Sequence, residues 1–268
     1  MHMTYRLLDS GMGQKLEQFG PYILARPCAQ AVWEKQKPDV WNQAHAFFTR
    51  EDGNRWIKRH PLPEEWTADI AGIKLKVSTT DFGHLGAFPE HSRFWIWMQD
   101  VIANATTQLG RKPKILNLFA YSGGATLAAA RAGAEVCHLD ASKGMTAWAR
   151  ENAALNNLQG APIRWITDDV TKFIQREQRR ESFYDAIILD PPTFGRGSKG
   201  ELFQIEQEII PLLKNCVKLL STTPLFILFS CHTPGFTPIA LKNLLQDATH
   251  SLGGHIDAGE MVLEGESI

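Results

Sequence analysis

Residues Lys114–Asp140 read KILNLFAYSGGATLAAARAGAEVCHLD, and this stretch decides the fold. Ile115–Phe119 is a continuous apolar run, which is typical of a strand buried on both faces. The glycines of Tyr121–Gly124 predict a tight turn, and the alanine-rich segment after them predicts a helix that Gly133 can close. A second apolar run ends at Asp140. The stretch therefore predicts a strand, a glycine turn, a helix and a second strand that ends in an acid.

The same stretch leaves two interpretations open. In units of this kind the glycines let the backbone approach a ligand, and the acid after the second strand can accept hydrogen bonds from ribose hydroxyls. Gly123 and Gly124 are adjacent, which departs from the Gly-x-Gly-x-x-Gly spacing of dinucleotide sites. The unit can therefore bind a nucleoside that carries no pyrophosphate, or it can be a structural βαβ unit without a ligand.

Composition sets broad limits on the function. The chain has 268 residues, of which 44% are hydrophobic, and a formal net charge of −1. This length suits one large α/β domain, or a domain with a smaller module. The near-neutral charge does not indicate a nucleic-acid-binding protein, since phosphate contacts require clustered Lys and Arg, but it leaves room for a local basic patch.

The four cysteines are Cys28, Cys137, Cys216 and Cys231, and none stands in a Cys-x-x-Cys pair or a paired Cys/His spacing. We therefore expect no zinc or other metal site, and reduced thiols of this kind fit a cytoplasmic protein. The N-terminus has no apolar segment of signal-peptide length, and no apolar run approaches the roughly 18 residues of a membrane span. We expect a cytoplasmic protein without a membrane partner; its oligomeric state is not predicted.

Residues 1–85 predict a small β-rich module, and residues 86–268 a second, larger domain. Short strand-like runs separated by Pro and Gly mark the module, namely Tyr22–Ala25, Ala44–Thr49, Arg55–Lys58 and Ile73–Val77. Four tryptophans fall inside it, Trp33, Trp41, Trp56 and Trp66. They can stack on bases or build the core that a small β-module needs. Its charges nearly balance, so we do not expect a basic clamp.

The rest of the chain alternates strands with helices. The predicted strands are 115–119, 135–139, 163–167, 184–190, 225–229 and 255–263, and the predicted helices are 125–132, 141–158, 170–180, 201–220 and 238–250. Such alternation predicts an α/β fold in which a doubly wound, mostly parallel sheet is covered on both faces. Polar or small residues follow five of the strands, and burying them without a ligand would cost free energy. A shared ligand site at the carboxyl ends of the strands explains them together.

Five motifs follow one another at these strand ends. They are Asn117–Ala125 (NLFAYSGGA), Leu139–Ser142 (LDAS), Asp168–Val170 (DDV), Leu189–Phe194 (LDPPTF) and Phe229–His232 (FSCH). In this order they resemble class I S-adenosylmethionine (SAM)-dependent methyltransferases with a Rossmann-like fold. Among these, the chain is similar to RNA methyltransferases related to the bacterial large-subunit ribosomal RNA cytosine-5 enzymes. The resemblance covers roughly residues 80–263 and implies SAM as cofactor and RNA as substrate and partner.

The resemblance also implies the residues that hold the cofactor. Phe119, Tyr121 and Gly123 would line the methionine part of SAM, Asp140 would take the ribose hydroxyls, and Asp169 or Asp168 would accept a hydrogen bond from the adenine amino group. Asp190 would lie nearest the transferring methyl group. The other residues expected beside the cofactor are Ala120, Ala141 and Pro191. For Asp168 and Asp169 an alternative is the N-cap of the following helix.

The substrate atom separates the subgroups of this family. Carbon 5 of cytosine becomes nucleophilic only after a thiolate adds to carbon 6, and the resemblance gives that role to Cys231, with Asp190 stabilising the pyrimidine at N3. Cys231 can equally be a small, unreactive residue packed at a strand end. Many cytosine-5 enzymes carry a second cysteine where this chain has Pro192. The same motif also looks like that of guanine methyltransferases, which need no cysteine.

The favoured prediction is methylation of carbon 5 of a ribosomal cytosine. The alternatives are methylation of a guanine nitrogen or of a non-RNA molecule, a dinucleotide-dependent oxidoreductase, and a SAM-binding protein that has lost its activity.

Overall fold

The computed structural model describes residues 4–51, 53–196, 200 and 202–265. It has two compact units, one of Met1–Arg93 with Met261–Ile268 and one of Phe94–Glu260. The predicted domain boundary between residues 85 and 86 stays a prediction. Each unit has its own β-sheet, and each is described by itself below.

The first unit is β-rich, as the spacing of Pro and Gly predicts. Its strands are β1 (Arg6–Gly11), β2 (Gln14–Phe19), β3 (Tyr22–Pro27), β4 (Ala46–Thr49), β5 (Arg55–Lys58), β6 (Glu65–Ile70) and β7 (Ile73–Ser78). Strands β1 to β5 form one sheet in chain order, in which only β3 and β4 pair in parallel. Strands β6 and β7 form a hairpin.

Strands β1, β2 and β6 were not predicted from the sequence, because polar residues break their apolar pattern. Glu17 of β2 is fully buried and forms an ion pair with buried Arg26 of β3, with 2.8 Å between Arg26 Nε and a carboxylate oxygen. The Tyr5 hydroxyl donates to the same carboxylate at 3.0 Å. Burial alone would raise the pKa of Glu17, but Arg26 and Lys15 more than offset it and hold the pKa below its usual value.

Two of the four tryptophans of this unit are core residues. Trp41 and Trp66 are buried, and each indole N–H has an acceptor, Asp9 at 2.7 Å and the carbonyl of Phe19 at 2.9 Å. Trp33 keeps 41% of its surface exposed. The two buried rings thus serve the core, which is the interpretation that does not require a ligand.

The second unit is a parallel sheet with helices on its faces. Its elements are α1 (Ser92–Leu109), β8 (Lys114–Leu118), α2 (Gly124–Arg131), β9 (Glu135–Asp140), α3 (Lys143–Leu155), β10 (Ile163–Thr167), α4 (Val170–Arg179), β11 (Ala186–Leu189), β12 (Phe194–Arg196), β13 (Leu202–Gln204), α5 (Ile205–Val217), β14 (Phe226–Phe229) and α6 (Pro238–Thr249). The sheet order is β10-β9-β8-β11-β14, and every pair is parallel. The predicted doubly wound sheet is confirmed.

Apolar runs buried on both faces explain the central strands. All residues of β11 are buried, and β8 is buried after its first residue. Gly133 follows α2 in the left-handed region, at φ 97°, and its amide donates to the carbonyl of Ala130. The expected closure of that helix by Gly133 is confirmed.

Two predicted elements differ from the structure. Residues 255–263 form no strand, because most of these side chains are exposed and no strand among the described residues pairs with their backbone, so the predicted sixth strand is wrong. The helix predicted from residue 201 begins at Ile205, after the short hairpin of β12 and β13. Within the described residues, no helix is both long enough and apolar enough to span a bilayer.

Candidate active site

The strand order of the second unit's parallel sheet reverses between β8 and β11. Strands β9 and β10 extend it on one side of β8, whereas β11 and β14 extend it on the other. Ligands bind outside the carboxyl ends of parallel strands at such a point. The structure places the turn after β8, Asp140 at the end of β9 and Asp190 after β11 at this edge.

The turn after β8 has an unusual backbone. Phe119 and Tyr121 are not glycines, yet both lie in the left-handed region, at φ 55° and 50°. Such a conformation costs about 1–2 kcal/mol per residue. Between them the amide of Ala120 donates to the carbonyl of Leu139 at 3.0 Å, which ties the turn to β9. Strained backbone of this kind concentrates at ligand-binding sites.

The two adjacent glycines have separate structural reasons. Gly123 lies at φ 91°, where a side chain would be strained. A Cβ on Gly124 would lie 2.3 Å from the ring of Trp95, a buried residue of α1. Trp95 therefore restricts the residue at the start of α2 to glycine, and this contact could not be predicted from the sequence pattern.

Asp140 is held in place by two backbone amides. The amide of Tyr121 donates to one carboxylate oxygen at 2.9 Å, and the amide of Ser142 donates to the other at 2.8 Å. Burial raises the pKa of Asp140, although both amides act to lower it. A carboxylate accepts about four hydrogen bonds, so two positions remain for the two hydroxyls of a ribose.

Asp168 and Asp169 follow β10 and both have structural contacts. The side chain of Asp169 caps α4 by accepting from the amide of Lys172 at 2.9 Å. Asp168 accepts from the amide of Asp169 and forms an ion pair with Arg176. The N-cap alternative thus holds for Asp169, and a role of either acid at the adenine stays a prediction.

Polar side chains that follow the neighbouring strands β11 and β14 lie close to one another. The Ser230 hydroxyl donates to Asp190 Oδ1 at 2.8 Å, and His232 Nε2 lies 3.8 Å from the same oxygen. The hydroxyls of Thr193 and Thr233 lie 2.8 Å apart. The residues after these two strands therefore form one cluster around a carboxylate.

The remaining predicted residues lie at the same edge of the sheet. Cys231 is half-buried and packs against the hydrophobic core that includes Leu189. Pro191 and Ala120 are buried, and Ala141 is half-buried. The Phe119 ring packs on that of Phe203 in β13, with centroids 5.1 Å apart, a contact that the sequence did not predict.

A buried hydrogen-bond chain beneath the turn was also not predicted. Asn117 donates to the hydroxyl of Thr126 at 2.9 Å, and that hydroxyl lies 2.9 Å from Nδ1 of His138. His138 is fully buried, and its Nε2 has no hydrogen-bond partner among the described residues. Burial, and then Arg150, lower the pKa of His138 to about 3, so the ring is neutral. These hydrogen bonds connect β8, α2 and β9.

A family model described as S-adenosylmethionine-dependent methyltransferase matches residues 29–250, which is most of the chain. The chain belongs to this family. Its cofactor is SAM, and the family match decides against the dinucleotide-dependent oxidoreductase.

Relatives and solved structures agree with this assignment. The chain is 34% identical over 154 residues to the ribosomal RNA large subunit methyltransferase K/L of Shewanella baltica. The aligned region covers 57% of this chain and 20% of that protein. It thus spans about a fifth of the length of such curated relatives. A SAM-dependent methyltransferase from Agrobacterium tumefaciens has a similar crystal structure, with 42% identity and a TM-score of 0.87 over 91% of this chain and 78% of that chain.

A further crystal structure, of a methyltransferase complexed with SAH, matches with a TM-score of 0.72 and 21% identity, over 92% of this chain and 66% of that chain. At this identity the match supports the class I fold.

The strand ends of the methyltransferase fit its cofactor. SAM is a nucleoside with a ribose diol and no phosphate, and Asp140 offers a carboxylate with two positions for a diol. The turn that contains the left-handed residues Phe119 and Tyr121 lies beside that carboxylate, because the amide of Tyr121 donates to it. When bound, SAM supplies a methyl group made electrophilic by its sulfonium.

Proposed function

We propose that this methyltransferase transfers a methyl group from SAM to a base of RNA. The observation that carries the substrate is the 34% identity to an enzyme named for large-subunit ribosomal RNA. The polar cluster around Asp190, at the end of the strand beside β8, supports the same proposal, because an acceptor base needs polar contacts there.

The residues of the chain have separate roles in this proposal. Asp140 accepts hydrogen bonds from the ribose hydroxyls, and the turn of Phe119 and Tyr121 holds the methionine part. Asp190, oriented by the Ser230 hydroxyl at 2.8 Å, contacts the acceptor base. The protein contributes mainly by aligning the acceptor atom with the methyl group, since the methyl group is already activated.

The favoured acceptor is carbon 5 of a cytosine. The Cys231 thiolate would form a bond to carbon 6 while the double bond between carbons 5 and 6 opens, which makes carbon 5 nucleophilic. Asp190 would stabilise the pyrimidine at N3. Carbon 5 would then bond to the methyl group as the bond between that methyl group and the sulfonium breaks, with SAH as the leaving group. The proton on carbon 5 would pass to water, the bond between Cys231 and carbon 6 would break, and the double bond would re-form.

A second acceptor, a guanine nitrogen, is favoured by two contacts. Cys231 packs against the hydrophobic core, and Asp190 has His232 at 3.8 Å as well as Ser230. A nitrogen acceptor needs no thiol, because its own lone pair attacks the methyl group. Asp190 and His232 would then orient the base and take its proton.

The substrate class is tested by methyl incorporation. The purified chain is incubated with tritiated SAM and unmodified transcripts of large-subunit ribosomal RNA, small-subunit ribosomal RNA or transfer RNA, and digested nucleosides are identified by mass spectrometry. We expect one methylated base in the large-subunit transcript. Incorporation into none of the RNAs, by a chain that binds SAM, would contradict an RNA substrate and favour a non-RNA molecule.

The acceptor atom is tested by Cys231→Ala, with Cys28→Ala as control because both thiols are half-buried. If Cys231 forms the covalent bond, Cys231→Ala loses at least about a thousandfold of the rate, since the nucleophile is gone. Full activity of Cys231→Ala, together with a methylguanine product, would establish the second acceptor instead.

A further inference from the structure

The first unit has a cavity of about 670 Å³ beside the start of β3. Tyr22 and the loop Lys58–Pro63 line it, and no acid is among the lining residues. Its volume lies within the range of roughly 300–1,000 Å³ of small-ligand sites. Lys58, Arg59 and His60 are exposed, so the cavity presents positively charged groups to solvent.

The loop is fixed before any ligand binds. The amides of Arg59 and His60 both donate to the carbonyl of His45, at 2.8 and 3.1 Å. The Arg59 guanidinium carbon lies 4.9 Å from the centre of the Phe47 ring, which orients this side chain. Lys58 Nζ donates to the carbonyl of Leu62 at 3.4 Å, across the loop. Preorganised donors of this kind lose less entropy on binding.

Three aromatic rings pack together behind the loop. The rings of His45 and His60 lie 5.8 Å apart, and the Tyr22 ring lies 5.2 Å from His45. The amide of Ile23 donates to His45 Nδ1 at 3.2 Å, which leaves the ring proton on Nε2. Burial, and then His60, lower the pKa of His45.

We propose that this cavity binds the phosphodiester backbone of RNA. A guanidinium, an ammonium and an imidazole around one opening match the oxygens of a phosphate, and Arg binds phosphate through two parallel hydrogen bonds. The Tyr22 ring provides an apolar floor on which a ribose or base can rest. This proposal rests on the proposed function, because RNA is the substrate named there.

The test is fluorescence anisotropy with a labelled single-stranded RNA of twelve nucleotides and the full chain. The variant is Arg59→Gln with His60→Gln, which removes the guanidinium and the imidazole but keeps side chains of similar length. The control is Arg179→Gln with Lys242→Gln, which removes two exposed cations from the second unit. We expect the Kd for RNA to rise about tenfold in the loop variant and less than twofold in the control. The slope of log affinity against log salt concentration should fall in the loop variant by the equivalent of about one phosphate contact.

Thermal unfolding and SAM binding show whether the loop variant is folded. A folded loop variant that binds RNA like the unchanged chain would overturn the proposal, as would an unchanged chain that binds no RNA, or one that binds poly-glutamate equally well through these residues. If binding depends on Arg59 and His60 but no RNA is methylated, the cavity assignment stands and the proposed function fails. If RNA is methylated but the loop variant binds RNA as tightly as the unchanged chain, the proposed function stands and the cavity assignment fails.

Discussion

At the scale of single residues, we predict that Asp140 contributes strongly to cofactor binding. Asp140→Ala should raise the Kd of SAM about a hundredfold, because two hydrogen bonds to a charged group are worth about 1.5–3 kcal/mol each and context reduces their sum. Calorimetric titration measures this, with Asp247→Ala on α6 as the control acid. Burial raises the pKa of Asp140, so affinity for SAM should also begin to fall at a higher pH than an ordinary aspartate would give. Unaltered affinity in Asp140→Ala would contradict the assignment.

Gly124 tests the packing beneath the turn. Gly124→Ala should destabilise the protein by about 1–3 kcal/mol, since its Cβ would meet the Trp95 ring. Gly144→Ala in α3 is the control, because only the Ser142 hydroxyl lies near, at 3.7 Å, and it should stabilise by about 0.5–1 kcal/mol. Urea unfolding measures both. Equal effects of the two substitutions would refute the role of Trp95.

At the scale of elements, a substitution at the N-cap of α4 can distinguish a role in folding from a role in cofactor binding. Asp169→Ala should cost about 1 kcal/mol, because the amide of Lys172 loses its acceptor. Thr237→Ala, at the N-cap of α6, should cost a similar amount. If Asp169 also contacts the adenine, only Asp169→Ala weakens SAM binding in a calorimetric titration. Equal SAM affinity in the two variants would leave Asp169 a capping residue alone.

The elements also show how far the sequence could predict the structure. Strands β8, β9, β10, β11 and β14 were predicted because each is a short apolar run between turn residues. Strand β2 was not, because Glu17 occupies a buried position that only its pairing with Arg26 makes acceptable. The run 255–263 has strand-like residues but no partner strand. Pairing between distant residues is what a local pattern does not contain.

The candidate site divides in the same way. Asp140, Asp190 and the turn were predicted, because strand order places the carboxyl ends of parallel strands at one edge. Trp95, Phe203 and the chain from Asn117 to His138 were not, since each acts through a contact that the sequence does not indicate.

At the scale of the whole molecule, His138 makes stability depend on pH. Its pKa is about 3 in the folded protein and ordinarily 6.5. The unfolded chain therefore binds a proton first, and stability is lost as pH falls below about 6.5, at up to about 1.4 kcal/mol per pH unit. Buried acids such as Glu17, whose pKa is lowered from 4.5, lose their contribution only at lower pH.

The measurement is urea unfolding at pH 6.5 and at pH 5. The unchanged chain should lose about 1–2 kcal/mol more than His138→Gln over this interval. His250→Gln, an exposed histidine, should behave like the unchanged chain. His45, whose pKa burial also lowers, contributes with the same sign in all three proteins and cancels in the comparison. An equal loss in His138→Gln would contradict the role of His138.

The left-handed backbone at Phe119 and Tyr121 has a consequence for engineering. Glycine would adopt that geometry without strain, so a screen that rewards heat resistance alone would tend to accept it at both positions. Such variants would survive heating but would lose the two aromatic side chains that we propose hold the methionine part of SAM. Thermostabilised versions of this catalyst should therefore be selected for turnover and heat tolerance together.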